Sequence, residues 1–322
     1  MRTTWLACAG AMIIGTAPCA TAQTVTRVDI DNDAFNFWQA PGVRADREYT
    51  QGFRVNVLRP TPSPLARRLL GGPNQCAESA ATRDCRLLSF AINQAIFTPT
   101  LDFRRRTAGE RPYAGWLGAE FGVQRERDRA LTAFSVGLGV TGEPSMAESA
   151  QKAVHRIFGF PPPEGWDAQL PSEVAFVATY RGAVDAVRIQ HAAGGFGLHI
   201  APQWTVRAGT LATDASAGAQ LTVGIRPPVP WTSATSNRTD HWGAYLRAGA
   251  TQAVIGRNLF LDGSTFSTSA HVGKNRWVHE LNAGVGIRLP LGLIEWQLHS
   301  GSREYQSQPK SHAYSTFSFT VR

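Results

Sequence analysis

The sequence predicts an all-β fold, a transmembrane antiparallel β-barrel of about 12 strands with a helical extracellular loop. Three observations predict it: period-two alternation along many segments, an export signal, and one isolated helical stretch. In 132–140, even positions hold Thr, Phe, Val or Leu, and odd positions hold Ala, Ser or Gly. The apolar side faces lipid in a barrel but forms the core of a soluble sandwich, which is the alternative. Glycines and charged residues such as Glu120 and Arg247 on the other side favour a barrel lumen.

The chain opens with a Sec-type signal peptide. Arg2 supplies the positive start, 5–14 is an apolar run too short to span a bilayer, and Ala20-Thr21-Ala22 is a small-x-small cleavage pattern. We therefore expect residues 1–22 to be removed and residues 23–322 to form one barrel in a bacterial outer membrane. Because the exported chain enters an oxidising compartment, Cys76 and Cys85 are expected to form a disulfide, with a metal or redox role as the weaker alternative.

Alternation and turn residues together define the expected strands. These strands are 24–35, 49–58, 87–96, 113–124, 131–142, 172–182, 196–209, 216–226, 242–255, 276–289, 292–300 and 313–322. An even number of strands places both chain ends on the periplasmic side. The expected periplasmic segments 59–86, 183–195 and 227–241 are longer than is usual there.

The helical stretch covers 145–158, in the longest expected extracellular loop. Its apolar side chains recur at three- and four-residue spacing and form one stripe. Glu148, Gln151 and His155 lie three, four and seven residues apart on another face, where their side chains can meet. Because histidine is the usual proton acceptor near neutral pH, this face predicts a site laid across the barrel wall.

Several motifs in fixed order give the chain a family resemblance. They are Asn-Asp-x-Phe from Asn32, Asp-Arg-x-Tyr-Thr-x-Gly from Asp46, Arg-Pro-Tyr-Ala-Gly-Trp from Arg111, Glu-x-x-Gln-x-x-x-His from Glu148, and Gly-Trp-Asp-x-Gln-Leu from Gly165. Together with segments near Arg257 and Ser302, this set resembles the outer-membrane lipid A 3'-O-deacylase family over nearly the whole mature chain.

The resemblance implies an enzyme that hydrolyses the 3'-linked acyl ester of lipid A with the help of Ca2+. It implies that His155 activates water, that Asn32, Asp33 and Thr50 line the catalytic site, and that Asp33 binds calcium. It further implies substrate contacts by Arg111 and Gln151 and a calcium ligand at Glu164, although Pro161-Pro162-Pro163 disturbs the spacing before Glu164.

The residue chemistry is consistent with ester hydrolysis without the resemblance. A neutral histidine can take a proton from water, and a calcium ion held by oxygen ligands can polarise a carbonyl. No serine stands in a Gly-x-Ser-x-Gly elbow, so direct attack by water is favoured over an acyl-enzyme. The alternatives are another outer-membrane barrel hydrolase, acting on glycerophospholipids, and a non-enzymatic barrel.

The net charge of +8 suits an anionic partner. Arg104, Arg105 and Arg106 form a basic run that suits phosphate groups, such as those of lipid A or lipopolysaccharide. Charge alone would equally suit nucleic acid, but an exported barrel has no route to it. We expect a monomer among outer-membrane lipids, with its active site facing the extracellular leaflet.

Overall fold

The computed structural model describes residues 24–35, 47–72, 77–78, 83–99, 109–191, 195–229, 231 and 242–321. The predicted signal peptide, Cys76 and the basic run at 104–106 lie outside the described residues. The strands are β1 Val25–Asn32, β2 Glu48–Pro60, β3 Ala77–Glu78, β4 Arg83–Thr98, β5 Ala114–Arg127, β6 Ala130–Thr141, β7 Val174–Val184, β8 Val187–Gln190, β9 Phe196–Gly209, β10 Ala212–Ile225, β11 Gly243–Asn258, β12 Trp277–Leu289, β13 Gly292–Gly301 and β14 His312–Val321. The helices are α1 Pro64–Leu70, α2 Ala147–Phe158 and α3 Leu259–Asp262.

Twelve of these strands form a closed antiparallel ring, which confirms the predicted barrel and excludes the sandwich. Each pairs with its neighbours along the chain, β14 pairs with β1, and β9 pairs with β10. The twelve predicted segments coincide with all strands but β3 and β8. These two short strands lie in the predicted long periplasmic segments and pair at the edges of β4 and β9. The ring satisfies the backbone groups of its strands without leaving an open edge.

The two sides of the wall differ as the alternation predicts. Exposed apolar side chains cover the outside; they include Phe90, Ile92, Phe121, Val136, Leu138, Phe176, Val285 and Phe319. The lumen is polar and contains a cavity of about 690 Å³ lined by Arg27, Asp29, Arg54, Glu120 and Arg247 among others. Several of its charges are paired, as Arg54 with Glu120 at 3.2 Å and Arg247 with Glu295 at 2.8 Å. Burying charges in the lumen is tolerated because they are paired and hydrogen-bonded.

Within the described part of the chain, no helix is long and apolar enough to cross a membrane. Cys85 is disulfide-bonded. Because Cys76 lies outside the described residues, its pairing with Cys85 stays a prediction.

Candidate active site at the outer rim

Asn32 and Asp33 stand where β1 ends at the rim. The Asn32 Oδ1 atom accepts a hydrogen bond from the Ala34 N–H at 2.7 Å, a local turn that ends the strand and begins a 3-10 turn over Asp33–Phe35. The buried Asp33 carboxylate accepts from the Arg47 N–H at 3.0 Å. This contact fixes the start of β2 beside the end of β1. The two predicted site residues are therefore held rigidly by backbone groups.

Thr50 occupies a β-bulge in β2. The register between β2 and β4 shifts between Tyr49 and Gln51, which leaves Thr50 as the extra residue. The bulge directs the buried Thr50 hydroxyl to Thr98 at the end of β4, with the two oxygens 2.7 Å apart. Because Asn32 pairs with Gln51 across β1 and β2, the structure brings Asn32, Asp33 and Thr50 together.

Arg111 is the centre of a buried ionic cluster just before β5. It is fully buried, and its Nη1 donates to Glu48 at 3.2 Å and to Glu304 at 3.0 Å. Glu48 also accepts from the Tyr305 hydroxyl at 2.8 Å. The Arg111 guanidinium lies 4.4 Å from the centre of the Phe97 ring. These contacts support a role for Arg111 in holding the rim, and the predicted substrate contact stays a prediction.

Helix α2 packs on the outside of the barrel. Phe90 and Ile92 of β4 are exposed on the outer surface, and Gln94 and Ile96 follow on the same face at two-residue intervals. Gln94 donates to the Ser145 carbonyl at 2.8 Å. The buried Ile96 side chain packs with Tyr113, Ala147 and Trp166. The candidate site therefore opens on the lipid-facing side of the wall and not into the lumen.

Gly115 allows α2 to approach the wall closely. A Cβ atom there would lie 2.1 Å from the Ser145 Oγ and 2.3 Å from the Ala147 Cβ, distances that real side chains cannot adopt. The glycine of the Arg-Pro-Tyr-Ala-Gly-Trp motif thus has a packing reason. It seats the first turn of α2 directly on β5.

The polar face of α2 is the one that the wall buries. Gln151 and His155 are buried, whereas the apolar Ile157 and Phe158 are 75% and 63% exposed. Gln151 Oε1 accepts from the Trp166 indole N–H at 2.8 Å, which joins the helix to the Gly-Trp-Asp motif. This arrangement is the reverse of a helix on a soluble protein, where the apolar stripe is buried. It suits a helix whose outer side contacts lipid.

The loop after α2 folds back over His155. Gly159 ends the helix in the left-handed region (φ 72°). The Pro161 carbonyl then accepts a hydrogen bond from His155 Nδ1. Because a carbonyl only accepts, Nδ1 carries a proton, and in the neutral ring the lone pair is then on Nε2. The Phe160 ring lies edge-on to the imidazole, with the centroids 5.7 Å apart.

The donor set at the rim consists of oxygen atoms, which calcium prefers. Asp33 supplies a carboxylate, and Thr50, Thr98 and Asn32 supply neutral oxygens. Among the described residues there is no cluster of three His, Cys, Asp or Glu side chains able to hold a metal. Glu164 lies exposed in the loop after α2, and its predicted role as a calcium ligand stays a prediction.

Four residues that contact the predicted site residues were not among them: Glu48, Thr98, Trp166 and Pro161. Glu48 carries a positive φ of 60° and a buried carboxylate, but neither property is visible in a sequence. Trp166 belongs to the Gly-Trp-Asp-x-Gln-Leu motif, which is the sequence signal that could have pointed to it. In the structure its ring lies beside the ring of Tyr113.

Among solved structures, the chain is similar to LpxR from Salmonella typhimurium, with a TM-score of 0.72 and 18% sequence identity over 92% of this chain and 99% of that chain. At that identity the likeness shows the fold alone. Weaker likenesses are to the β domain of the Bordetella autotransporter BrkA (TM-score 0.44, 8% identity, 92% of this chain and 98% of that one) and to the transport unit of the Escherichia coli autotransporter AIDA-I (0.43, 8%, 96% and 93%).

No curated protein sequence matches the chain. A family model described as outer membrane protein LpxR matches residues 5–322, nearly the full length. The match covers the rim, the α2 loop and all twelve strands of the ring. The chain therefore belongs to the LpxR family of outer-membrane lipid A 3'-O-deacylases.

Proposed function

We propose that this chain hydrolyses the 3'-linked acyl or acyloxyacyl ester of lipid A by attack of a water molecule that His155 activates, with calcium at the Asp33 rim. One observation carries the proposal: α2, which buries Gln151 and His155, packs on the outer face of β4 and β5. We assign Asn32, Asp33 and Thr50 to the same site, since Thr50 contacts Thr98 at the end of β4. A site on the outside of the wall is open to a lipid that stays in its leaflet.

The depth of the site supports a lipid ester as the substrate. On the outer face of β5, Gly115 seats α2, and Arg125 forms an ion pair with Asp84 that marks the periplasmic edge of the apolar surface. Ten residues separate Gly115 from Arg125, which is ~33 Å along a strand. At the usual strand tilt this spans ~25 Å of membrane normal, the height of the apolar band. Helix α2 thus stands at the outer boundary, where an ester joins acyl chain to sugar.

The reaction follows from the tautomer of His155. With Nδ1 donating to the Pro161 carbonyl, Nε2 takes a proton from water as the water oxygen bonds to the ester carbonyl carbon. The negative end of the α2 dipole favours the imidazolium that forms in the last turn. The bond from that carbon to the 3' oxygen then breaks, and the imidazolium returns the proton to the departing oxygen. The products are a free fatty acid and a lipid A with a 3' hydroxyl.

In this proposal Asn32 stabilises the oxyanion of the intermediate. Its Oδ1 is engaged by the Ala34 N–H, so Nδ2 presents its two N–H donors away from the turn. Calcium held by Asp33 with neighbouring oxygens would polarise the same carbonyl. Removing one such donor typically costs ~10²–10³ in kcat.

The decisive experiment compares lipid A from bacteria that express the wild type and His155→Ala. We expect deacylation to fall by about 10²–10⁴-fold, the range for loss of a general base. Arg156→Ala is the matched control, because Arg156 is the next residue of α2 and is exposed. Mass spectrometry of lipid A measures the loss of the 3' chain. Full activity of His155→Ala, with Arg156→Ala equal to wild type, would refute the proposal.

The calcium proposal has its own test. Binding of Ca2+ to the folded barrel in detergent is titrated by calorimetry for wild type and Asp33→Asn. We expect the variant to lose binding together with chelator-sensitive activity. Retention of full deacylation in excess chelator would remove calcium from the mechanism and leave the role of His155 standing.

Family membership favours lipid A over the glycerophospholipids named as the alternative substrate. The same bacteria provide the discriminating measurement. Release of lysophospholipid with unchanged lipid A would favour the alternative.

A further inference from the structure

Helix α1 is a second helix on the outside of the wall, at the periplasmic end of the β4–β5 pair. Arg125 of β5 donates to the Leu70 carbonyl at 2.9 Å and forms an ion pair with Asp84 of β4 at 2.5 Å. Arg125 alternates with the exposed Phe121 at four residues' distance, so it lies on the outer face. Helix α1 is thus fixed to the lipid-facing side of the barrel, in one of the predicted long periplasmic segments.

The side chains of α1 are arranged as in a helix that lies in a membrane interface. Within it only Ala66 is buried, while Leu65 and Leu69 are 61% and 51% exposed. At ~100° per residue these two leucines lie within ~40° of each other. Arg67 lies on roughly the opposite side, and Arg68 is exposed on the flank away from Ala66. Apolar and basic sides on one short helix are the pattern of interfacial anchors.

The position of α1 along the barrel wall matches this role. Its anchor, Arg125, is paired in the sheet with Arg86, one step below the pair Val123 and Leu88. Leu88 is exposed on the outer surface, so the apolar band ends where α1 begins. Leu65 and Leu69 therefore lie next to the lipid-facing surface, and the two arginines lie beside them on the same helix.

We propose that α1 binds the periplasmic leaflet of the outer membrane, with Leu65 and Leu69 among acyl chains and Arg67 and Arg68 on anionic phospholipid headgroups. The occupant is a glycerophospholipid surface, because the helix continues a wall that faces lipid and its charges complement anionic headgroups. The proposal rests on the barrel and its membrane, and it is independent of the deacylation mechanism.

The test places a spin label at 65, 67 or 69 in the full-length protein, through Leu65→Cys, Arg67→Cys or Leu69→Cys with the native disulfide kept oxidised. Single barrels are reconstituted in nanodiscs of phosphatidylcholine with and without phosphatidylglycerol. We expect the ratio of collisions with oxygen to collisions with a water-soluble nickel chelate to be several-fold higher at 65 and 69 than at 67. A ratio that favours nickel at 65 and 69 in both lipids would overturn the proposal.

The charge component is tested on the label at 69. We expect phosphatidylglycerol to raise its oxygen-to-nickel ratio in the parent. Arg67→Gln combined with Arg68→Gln should abolish that rise. Arg156→Gln on α2 is the control. It makes the same Arg-to-Gln change on the other helix, and it should leave the rise intact. Protection of 65 and 69 that appears only when two barrels share a nanodisc would assign the surface to a second copy and overturn the lipid assignment.

Discussion

Helices α1 and α2 pack on the outside of the same two strands, β4 and β5, at opposite ends, yet they use the wall differently. Helix α2 turns its polar side chains, Gln151 and His155, to the wall and its apolar side chains outward. Helix α1 buries a single alanine and exposes Leu65, Leu69 and its two arginines. Helix α2 covers its own polar residues against the wall, whereas α1 only lies on the surface. A protein in lipid can therefore place a polar site on its outside, because an apolar helix surface covers it.

The largest difference is expected between ion pairs at the two ends of β5. Arg111, just before β5, is fully buried with Glu48, so Arg111→Met leaves a buried carboxylate uncompensated. We expect a loss of about 3–5 kcal/mol in unfolding free energy. Arg125→Met, at α1, breaks a partly exposed pair and should cost about 0–1 kcal/mol. Urea titration of both variants in lipid vesicles measures the difference, and equal losses would contradict it.

A second pair of variants tests the close contact between α2 and β5. Gly115→Val forces α2 away from β5, since even a Cβ there meets Ser145 and Ala147. We expect deacylation to fall by about 10²-fold with the barrel still folded, because a small displacement of a catalytic group has that effect. Gly301→Val is the matched control, because its Cβ would have no atom nearer than 3.9 Å. Lipid A mass spectrometry reads the result, and an active Gly115→Val would show that α2 need not touch the wall.

The hydrogen bond between Gln151 and Trp166 should have a moderate effect. Both partners are buried, so Gln151→Ala leaves the indole N–H unsatisfied and should cost about 1–3 kcal/mol. Trp166→Phe removes the donor, and the double variant should cost less than the sum of the two. Unfolding in vesicles gives the coupling energy. Strict additivity would mean that the bond does not hold the loop against α2.

The strands could be predicted because their signal is local. Alternation in 131–142 or 276–289 needs only neighbouring residues, and these segments fold as β6 and β12 with ends that shift by no more than one residue. The helix was predicted over 145–158 for the same reason. Its first two residues differ, because Ser145 ends a 3-10 turn and Met146 adopts a left-handed conformation (φ 56°).

The parts of the site that were missed depend on contacts between distant residues. Glu48 accepts from Arg111 and from Tyr305, which are 63 and 257 residues away along the chain. Pairings of that separation leave no periodic trace in one sequence. The orientation of α2 was equally inaccessible, since a stripe of apolar residues is the same whether the solvent beyond it is water or lipid. The motifs brought out Asn32, Asp33, Thr50 and Gln151 as a set. The structure gives each a contact of its own: Ala34 for Asn32, Arg47 for Asp33, Thr98 for Thr50 and Trp166 for Gln151.

The smallest expected effect concerns the exposed apolar surfaces of the two helices. The Phe158 ring on α2 stacks on Phe160, with the centroids 6.2 Å apart, and Phe160 in turn touches His155. If this surface lies among acyl chains at the site, Phe158→Ser should raise KM for lipid A a few-fold and leave kcat unchanged, because it removes binding common to substrate and transition state. Leu69→Ser on α1 should change neither constant, since α1 packs at the opposite end of β4 and β5 from α2. Kinetics in mixed micelles separate the two constants. A fall in kcat for Phe158→Ser would mean that the ring positions His155 itself, whereas an effect of Leu69→Ser on KM would mean that the two helix surfaces are not functionally distinct.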